Sequence, residues 1–410
     1  MTRHLNAAGL AITLVVVALL ACSPLGVLNG LIGQAQTQTP TNTLAQAQTP
    51  TTIAQALASP QPGSTVPPTA PAAGTPSNQT PTIEPTNTPL PLPLRTDLPA
   101  LALRDWPRPA NDNGRCIHFL PTGYYTPRDF EVQIPRMKAL QMRWVLALYS
   151  DENQLRLAAQ QFKAAGVMPI WRKSMRAYQK YYSWDRDIQI LKYDGITPYF
   201  QIYNEPDSGA EWDGRDVDQA QWTYSFVQAA KDVYNAGGYV GMQVLDPDWV
   251  RAVIREIKAE KGDRIFGRMF FVPHSYALNH PPNYVEDENA VLGFRMYADV
   301  FQQELGFIPP FIVGEGGWKY HATDDNRYPM IDDQTEAKYY VELFNWFRPQ
   351  SKLSNGEPLP DYLFAFCPWI LAAPLEGAAW YDSFEKDRTL TIEAVTKMGT
   401  FKRLSSWDKK

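Results

Sequence analysis

Between Cys116 and Ile370 eight short apolar runs alternate with stretches of helical periodicity. The runs are CIHFL (116–120), RWVLALY (143–149), GVMPIW (166–171), PYFQIYN (198–204), YVGMQVL (239–245), RMFFVPHSY (268–276), PPFIVGE (309–315) and YLFAFCPWI (362–370). Between them lie helix candidates such as DENQLRLAAQQFKAAG (151–166), DQAQWTYSFVQAAKDVYNAGG (218–238) and PDWVRAVIREIKAEKG (247–262). In the first, Leu155, Leu157, Ala158, Phe162 and Ala165 form one apolar stripe. Ser150 or Asp151 can cap its start and Gly166 can end it, while Gly237-Gly238 stops the second. Strands alternating with helices call for a parallel sheet covered by helices. Eight such units fit a closed (β/α)8 barrel of the TIM type. An open, doubly wound sheet satisfies the same periodicity.

The barrel pattern starts late. Residues 1–22 read as a lipoprotein-type signal peptide: Arg3 and His4 precede an apolar run, Leu10 to Ala21, too short for a comfortable membrane span. The run ends Leu-Leu-Ala-Cys at Cys22, like the bacterial lipobox in which the cysteine is lipidated. An ordinary signal with a chance cysteine, or an uncleaved anchor, are the other readings. All three place the folded part outside the cytoplasm, and the first makes it a lipoprotein held at the bacterial cell surface by a lipid on Cys22. Residues 23–97 read as a disordered Thr/Pro/Gln-rich linker, since residues 23–94 carry a single charge, Glu84. From 98 to 410 charges, aromatics and periodic apolar segments persist without a second linker, which makes one folded domain.

A formal net charge of −5 leaves no basic footprint, so nucleic acid is not expected as a partner. Three cysteines and five histidines are scattered, with no Cys-x-x-Cys and no His-x-x-x-His, so a structural zinc site is not expected. Cys116 and Cys367 fit either a disulfide or two buried thiols. Oligomeric state is not legible.

In a barrel, reactive groups sit at the C-terminal ends of strands. The third predicted strand ends Trp171-Arg172-Lys173, the fourth Asn204-Glu205, the sixth His274-Ser275-Tyr276, the seventh Gly314-Glu315-Gly316-Gly317-Trp318 and the eighth Pro368-Trp369. Glu205 and Glu315, on strands across the mouth from each other, stand out. Glycoside hydrolysis needs two facing carboxyls, at about 5–5.5 Å for retention or about 6.5–9.5 Å for inversion. Glycines 316 and 317 would let the backbone come close to a substrate cleft.

YNEP (203–206) and VGEGGW (313–318) resemble the motifs of the retaining glycoside hydrolases of clan A, a superfamily of cellulases, mannanases and xylosidases. The resemblance spans about Arg115 to Trp380 and implies roles. Glu205 would be the acid/base, Asn204 the ligand of the sugar 2-hydroxyl and Glu315 the nucleophile. His274-Ser275-Tyr276 matches the clan's His-x-Tyr pattern, in which the tyrosine touches the nucleophile. Trp369 matches a tryptophan that floors the sugar subsite, and Trp318 joins it as a substrate-binding candidate. The sequence departs from the clan in one respect: many members end the second strand with an arginine, and here that strand runs LALYSDEN. Arg172, on the third strand, is the candidate substitute.

Each residue has a plainer reading beside this one. Glu205 could pair with a nearby Lys or Arg, Asn204 could shape the turn before Pro206, and His274 and Trp369 could be core packing. Tyr178, Tyr181, Tyr182, Trp184 and Trp212, in the loops after the third and fourth strands, suit either stacking on sugar rings or packing beneath loops. The expectation is a retaining hydrolase of β-linked saccharides without a cofactor. A non-catalytic carbohydrate-binding lipoprotein on the same barrel, or a transporter-associated solute-binding lipoprotein with an open fold, are the alternatives.

Overall fold

A computed structural model describes residues 93–408. The signal-type segment, Cys22 and residues 23–92 of the expected linker lie outside the described residues. In chain order the elements are α1 (Pro127–Ala139), β1 (Trp144–Tyr149), α2 (Glu152–Ala165), β2 (Met168–Lys173), α3 (Trp184–Tyr193), β3 (Tyr199–Ile202), α4 (Gln219–Asn235), β4 (Tyr239–Met242), α5 (Pro247–Ala259), β5 (Met269–Phe271), β6 (His274–Tyr276), α6 (Arg295–Leu305), β7 (Phe311–Val313), β8 (Glu315–Gly317), α7 (Asp333–Asn345), β9 (Leu363–Phe366) and α8 (Thr389–Lys397). Among the described residues no helix is long and apolar enough to cross a membrane.

Local chemistry sets the helix limits. Asp151 accepts the backbone N–H groups of Asn153 and Gln154 at the start of α2, and Gly166 ends it in the left-handed conformation with φ +69°. Asp218 caps α4 through the N–H of Gln221, and Asp246 caps α5 through that of Asp248. Leu155, Ala158, Ala159 and Phe162 form the buried face of α2.

Strands β1, β2, β3, β4, β5, β7 and β9 pair in that order, all parallel, as one curved sheet. The first predicted run contributes no full strand. It makes isolated parallel bridges, Arg115 to Phe366 on β9 and His118 to Leu146 on β1. The Asp112 and Asn113 side chains take the N–H groups of Gly114 and Arg115, and Pro121 follows shortly, so few residues are left for a ladder. The bridges still join the two edges of the sheet, with Cys116 N–H to Phe366 O at 3.2 Å and Leu146 N–H to Ile117 O at 3.1 Å. The result is a nearly closed, TIM-like α/β barrel, not an open doubly wound sheet. Cys116 and Cys367 are neighbours on this seam, Cα to Cα 4.2 Å, and are joined by a disulfide.

β6 and β8 form a separate parallel pair that continues β5 and β7 beyond the sheet, matching His274 with Glu315 and Tyr276 with Gly317. That extension carries both residues onto the rim.

Side chains that point inward alternate along each strand. At the N-terminal end Tyr199 and Tyr239 fill the interior, closed from below by Trp106, whose ring lies 6.0 and 5.1 Å from theirs. Above them sit Leu146, Ile170, Val272 and Ile312, in the same buried cluster. Two residues further along the same rows come His118 after Cys116, Arg172 after Ile170, Gln201 after Tyr199, Gln243 after Gly241 and His274 after Val272. The uppermost interior layer is therefore polar. Residues 93–97, read from sequence as the end of the linker, already touch the domain: Leu94 packs on the core, and the Arg95 N–H donates to Asn235 Oδ1 at 2.9 Å.

Candidate active site

Glu205 and Glu315 meet over the polar layer. One carboxylate oxygen of each, together with a ring nitrogen of His274, lies within 4.8 Å of the others. His274 Nδ1 is 2.7 Å from Glu205 Oε1 and 3.7 Å from Glu315 Oε2. Tyr276 donates its hydroxyl to Glu315 Oε2 at 2.9 Å. Arg172 donates from Nη1 to Glu315 Oε1 at 2.6 Å and to Asn204 Oδ1 at 2.6 Å. Arg172, from the third predicted strand, thus holds both the Glu315 carboxylate and the Asn204 amide oxygen. The Glu205 side chain is 22 % exposed and that of Glu315 8 %.

The turn at Asn204 is strained. Tyr203 and Glu205, neither a glycine, have φ of +67° and +36°. Such conformations cost on the order of 1–3 kcal/mol each and persist only where the surroundings fix them. Here they are fixed. The Tyr203 hydroxyl donates to Gln179 O at 2.8 Å, the Glu205 N–H donates to Gln243 Oε1, and Trp212 Nε1 donates to Pro206 O at 2.7 Å. Asp207 Oδ2 accepts from Leu245 N–H at 2.7 Å and Asp246 N–H at 2.6 Å.

Charges around Glu315 oppose its burial. Desolvation alone would raise its pKa, but the positive charge of His274 and Arg172 outweighs this and brings it to about 2. Burial pulls His274 down, yet Glu315 and Glu205 hold its pKa above the usual imidazole range. His118 goes the other way. Burial first, then the neighbouring Arg172, pushes it well below that range, so it is neutral. Because Arg172 can only donate, His118 Nε2 accepts its Nη2 at 3.1 Å, which puts the imidazole proton on Nδ1. Desolvation and the Glu315 charge push the Tyr276 hydroxyl up, and it remains a donor.

Glu205, His274 and Glu315 are the kinds of donor that hold metal ions. Their surroundings do not suit one. Arg172 and Tyr276 already donate to the two oxygens of Glu315, and His274 is held toward its cationic form. A divalent ion would sit against a guanidinium, so the set fits a cation poorly.

Trp369 is half-buried, with its ring 4.4 Å from that of His118. Trp318 corrects an expectation. It is 2 % exposed, packs on Tyr339 and Tyr340, and donates its indole N–H to His280 O at 2.7 Å. Its side chain lies beneath the rim and not in the cleft. The glycines before it also serve packing. A Cβ on Gly316 would stand 2.4 Å from Ser275 O, and one on Gly317, at φ +97°, 2.1 Å from the Tyr340 hydroxyl. The loop aromatics divide. Trp184 and Trp212 are buried, and Tyr181 donates to Asp187 Oδ2 at 2.9 Å, whereas Tyr182 is 77 % exposed. Sequence reasoning passed over His118, Gln201, Gln243 and Glu211, which complete the polar floor and its wall. The signal for the first three was a polar residue two places after an inward-facing one.

No family model matches the chain, and no curated protein matches it. Solved structures do match. A family 51 alpha-L-arabinofuranosidase, AbfB, from Bifidobacterium longum aligns at 10 % identity and a TM-score of 0.45, over 71 % of this chain and 73 % of that one. A calcium-binding mutant of Bacteroides uniformis beta-glucuronidase 2 aligns at 12 % and 0.39, over 66 % of this chain and 32 % of that one. A D-allulose 3-epimerase from Methylomonas sp. aligns at 8 % and 0.37, over 68 % and 97 %. This chain therefore spans about a third of the glucuronidase. At such distances the activity has to be argued from the site itself.

Proposed function

We propose that the protein is a retaining glycoside hydrolase acting on β-linked saccharides. The observation that carries this reading is the pair of rim carboxylates within 4.8 Å, one of them kept anionic by Arg172 and His274. Oxygens of the two groups lying so near one another are compatible with the separation of about 5–5.5 Å between carboxyls that a double displacement uses.

In the first step Glu315 attacks the anomeric carbon, and the glycosidic C–O bond breaks. The proton shared across the 2.7 Å bond between His274 and Glu205 passes through Glu205 to the leaving oxygen. In the second step Glu205 takes a proton from water as that water attacks the glycosyl ester and frees Glu315. Tyr276 and Arg172 donate to Glu315 and aim it. Asn204 meets the sugar 2-hydroxyl, and Trp369 lies under the ring. The chemistry needs no cofactor. The apolar run from Leu10 to Ala21 and the cysteine after it support, as part of this proposal, a domain outside the cytoplasm tethered through Cys22 and the linker.

A non-catalytic saccharide-binding barrel drew its support from the arginine absent after the second predicted strand. Arg172 supplies that charge at Glu315, which favours turnover. The test is hydrolysis of a panel of aryl β-glycosides, with the first-formed sugar followed by NMR. Release of the β-anomer is expected. An initial α-anomer, or oligosaccharide binding without turnover on any member, would contradict the reading.

A further inference from the structure

Asn204 is gripped by two groups that can each play only one part. Arg172 Nη1 donates to its Oδ1 at 2.6 Å, joined by Gln201 Nε2 at 3.3 Å. Its own Nδ2 donates to Glu211 Oε1 at 3.0 Å. A guanidinium only donates and a carboxylate only accepts, so a single orientation of the amide satisfies both. One N–H of Nδ2 goes to Glu211, and the other is left for a ligand.

Glu211 is well placed to enforce this. It stands in the short 3-10 turn Gly209–Trp212, closed by the buried Trp212. Its Oε2 accepts from Arg176 Nη1 at 3.2 Å, and its backbone carbonyl accepts from the Ala177 N–H at 3.1 Å. Arg176 also holds Asp213 at 3.0 Å. The loop after β2 and the loop after β3 are thus tied together at the carboxylate that orients Asn204.

We propose that Glu211 is a positioning residue that sets substrate choice: it turns the free amide N–H of Asn204 toward the hydroxyl beside the reacting carbon and makes turnover depend on that hydroxyl. This rests on the glycosidase reading above. Without Glu211 the Asn204 amide keeps the Arg172 bond but can swing about it, and the donor is no longer aimed. A glycoside that lacks the neighbouring hydroxyl has nothing to lose.

The experiment compares wild type, Glu211→Gln and Glu211→Leu on matched aryl β-glycosides with and without the 2-hydroxyl. Glutamine keeps one carbonyl oxygen for two donors, Asn204 Nδ2 and Arg176 Nη1, and should fall between wild type and leucine on the hydroxylated substrate while leaving the 2-deoxy substrate within about threefold. Leucine should lower kcat/KM on the hydroxylated substrate on the order of 10- to 100-fold, and on the 2-deoxy substrate by less than about threefold. An equal loss on both substrates, or no loss on either, overturns the proposal. If Glu211→Leu does not fold, Asn204→Ala and the double variant Asn204→Ala/Glu211→Gln serve instead. The single change should erase most of the preference for the hydroxylated substrate and the second change should add nothing, whereas independent losses overturn the proposal. A wild-type protein inactive on both substrates refutes the glycosidase reading itself.

Discussion

At the scale of single residues, the site works by opposing burial with charge. Glu315 is almost enclosed, which alone would favour its neutral form, yet Arg172 at 2.6 Å and His274 keep it ionised. The relation is mutual, since Glu315 is the largest contributor holding the His274 proton. Replacing the carboxylate therefore has a signed consequence. In Glu315→Gln the negative charge that most holds the His274 proton is gone, while the burial of the imidazole and the charge of Arg172 remain. The His274 titration midpoint should fall relative to wild type when followed by NMR of the imidazole nitrogens. A midpoint that stays put or rises would mean that Glu315 does not govern this proton. The two glutamates and Arg172 could be named from sequence because each ends an apolar run. His118 could not, because its run CIHFL reads as buried strand and hides one polar residue at an inward position. Trp318 misled for the converse reason: an aromatic beside a candidate nucleophile looks like a sugar platform until the packing of Tyr339 and Tyr340 is known.

At the scale of elements, the two-residue rhythm of the strands does most of the placing. It stacks the tyrosine, aliphatic and polar layers, and it sets His118, Arg172, Gln201 and Gln243 two places beyond inward-facing residues of their strands. The short pair β6 and β8 then lifts His274, Tyr276 and Glu315 clear of the sheet. This pair depends on Gly316 and Gly317, whose missing side chains let Ser275 and Tyr340 approach. Gly317→Ala combines a positive φ with a clash, and is expected to lower stability by about 1–3 kcal/mol in denaturant unfolding. An unchanged midpoint would show that β8 has slack that the packing denies. Helix limits were legible where a cap is a local event, as at Asp151 and Gly166. The pairing of β6 with β8 was not, because it joins segments far apart in the chain and leaves no periodic trace.

At the scale of the whole molecule, closure is the decisive property. Seven strands make a parallel sheet, and the stretch from Arg115 to His118 joins its edges through a few backbone bonds. The Cys116–Cys367 disulfide crosses that seam over a sequence separation of 251 residues. Long closed loops gain the most from a cross-link, about 2–5 kcal/mol in practice. Changing both cysteines to alanine should lower the stability of the domain by that order, measured by denaturant unfolding under non-reducing conditions, and the addition of a reductant should bring wild type close to the variant. Equal stability of the two proteins would mean that backbone bridging alone closes the barrel. The alternation of strands and helices made the barrel readable. Whether the edges met was not readable, since an open sheet has the same periodicity.

The central claim is that Glu315 attacks carbon and Glu205 moves protons. It is tested most directly by chemical rescue of Glu315→Ala with azide on an activated aryl β-glycoside. The expected result is loss of turnover in the variant, then azide-dependent release of the aryl group with the α-glycosyl azide as product, azide having taken the place of the carboxylate. Wild-type turnover in Glu315→Ala, or azide-dependent formation of the β-glycosyl azide by that variant, would contradict it.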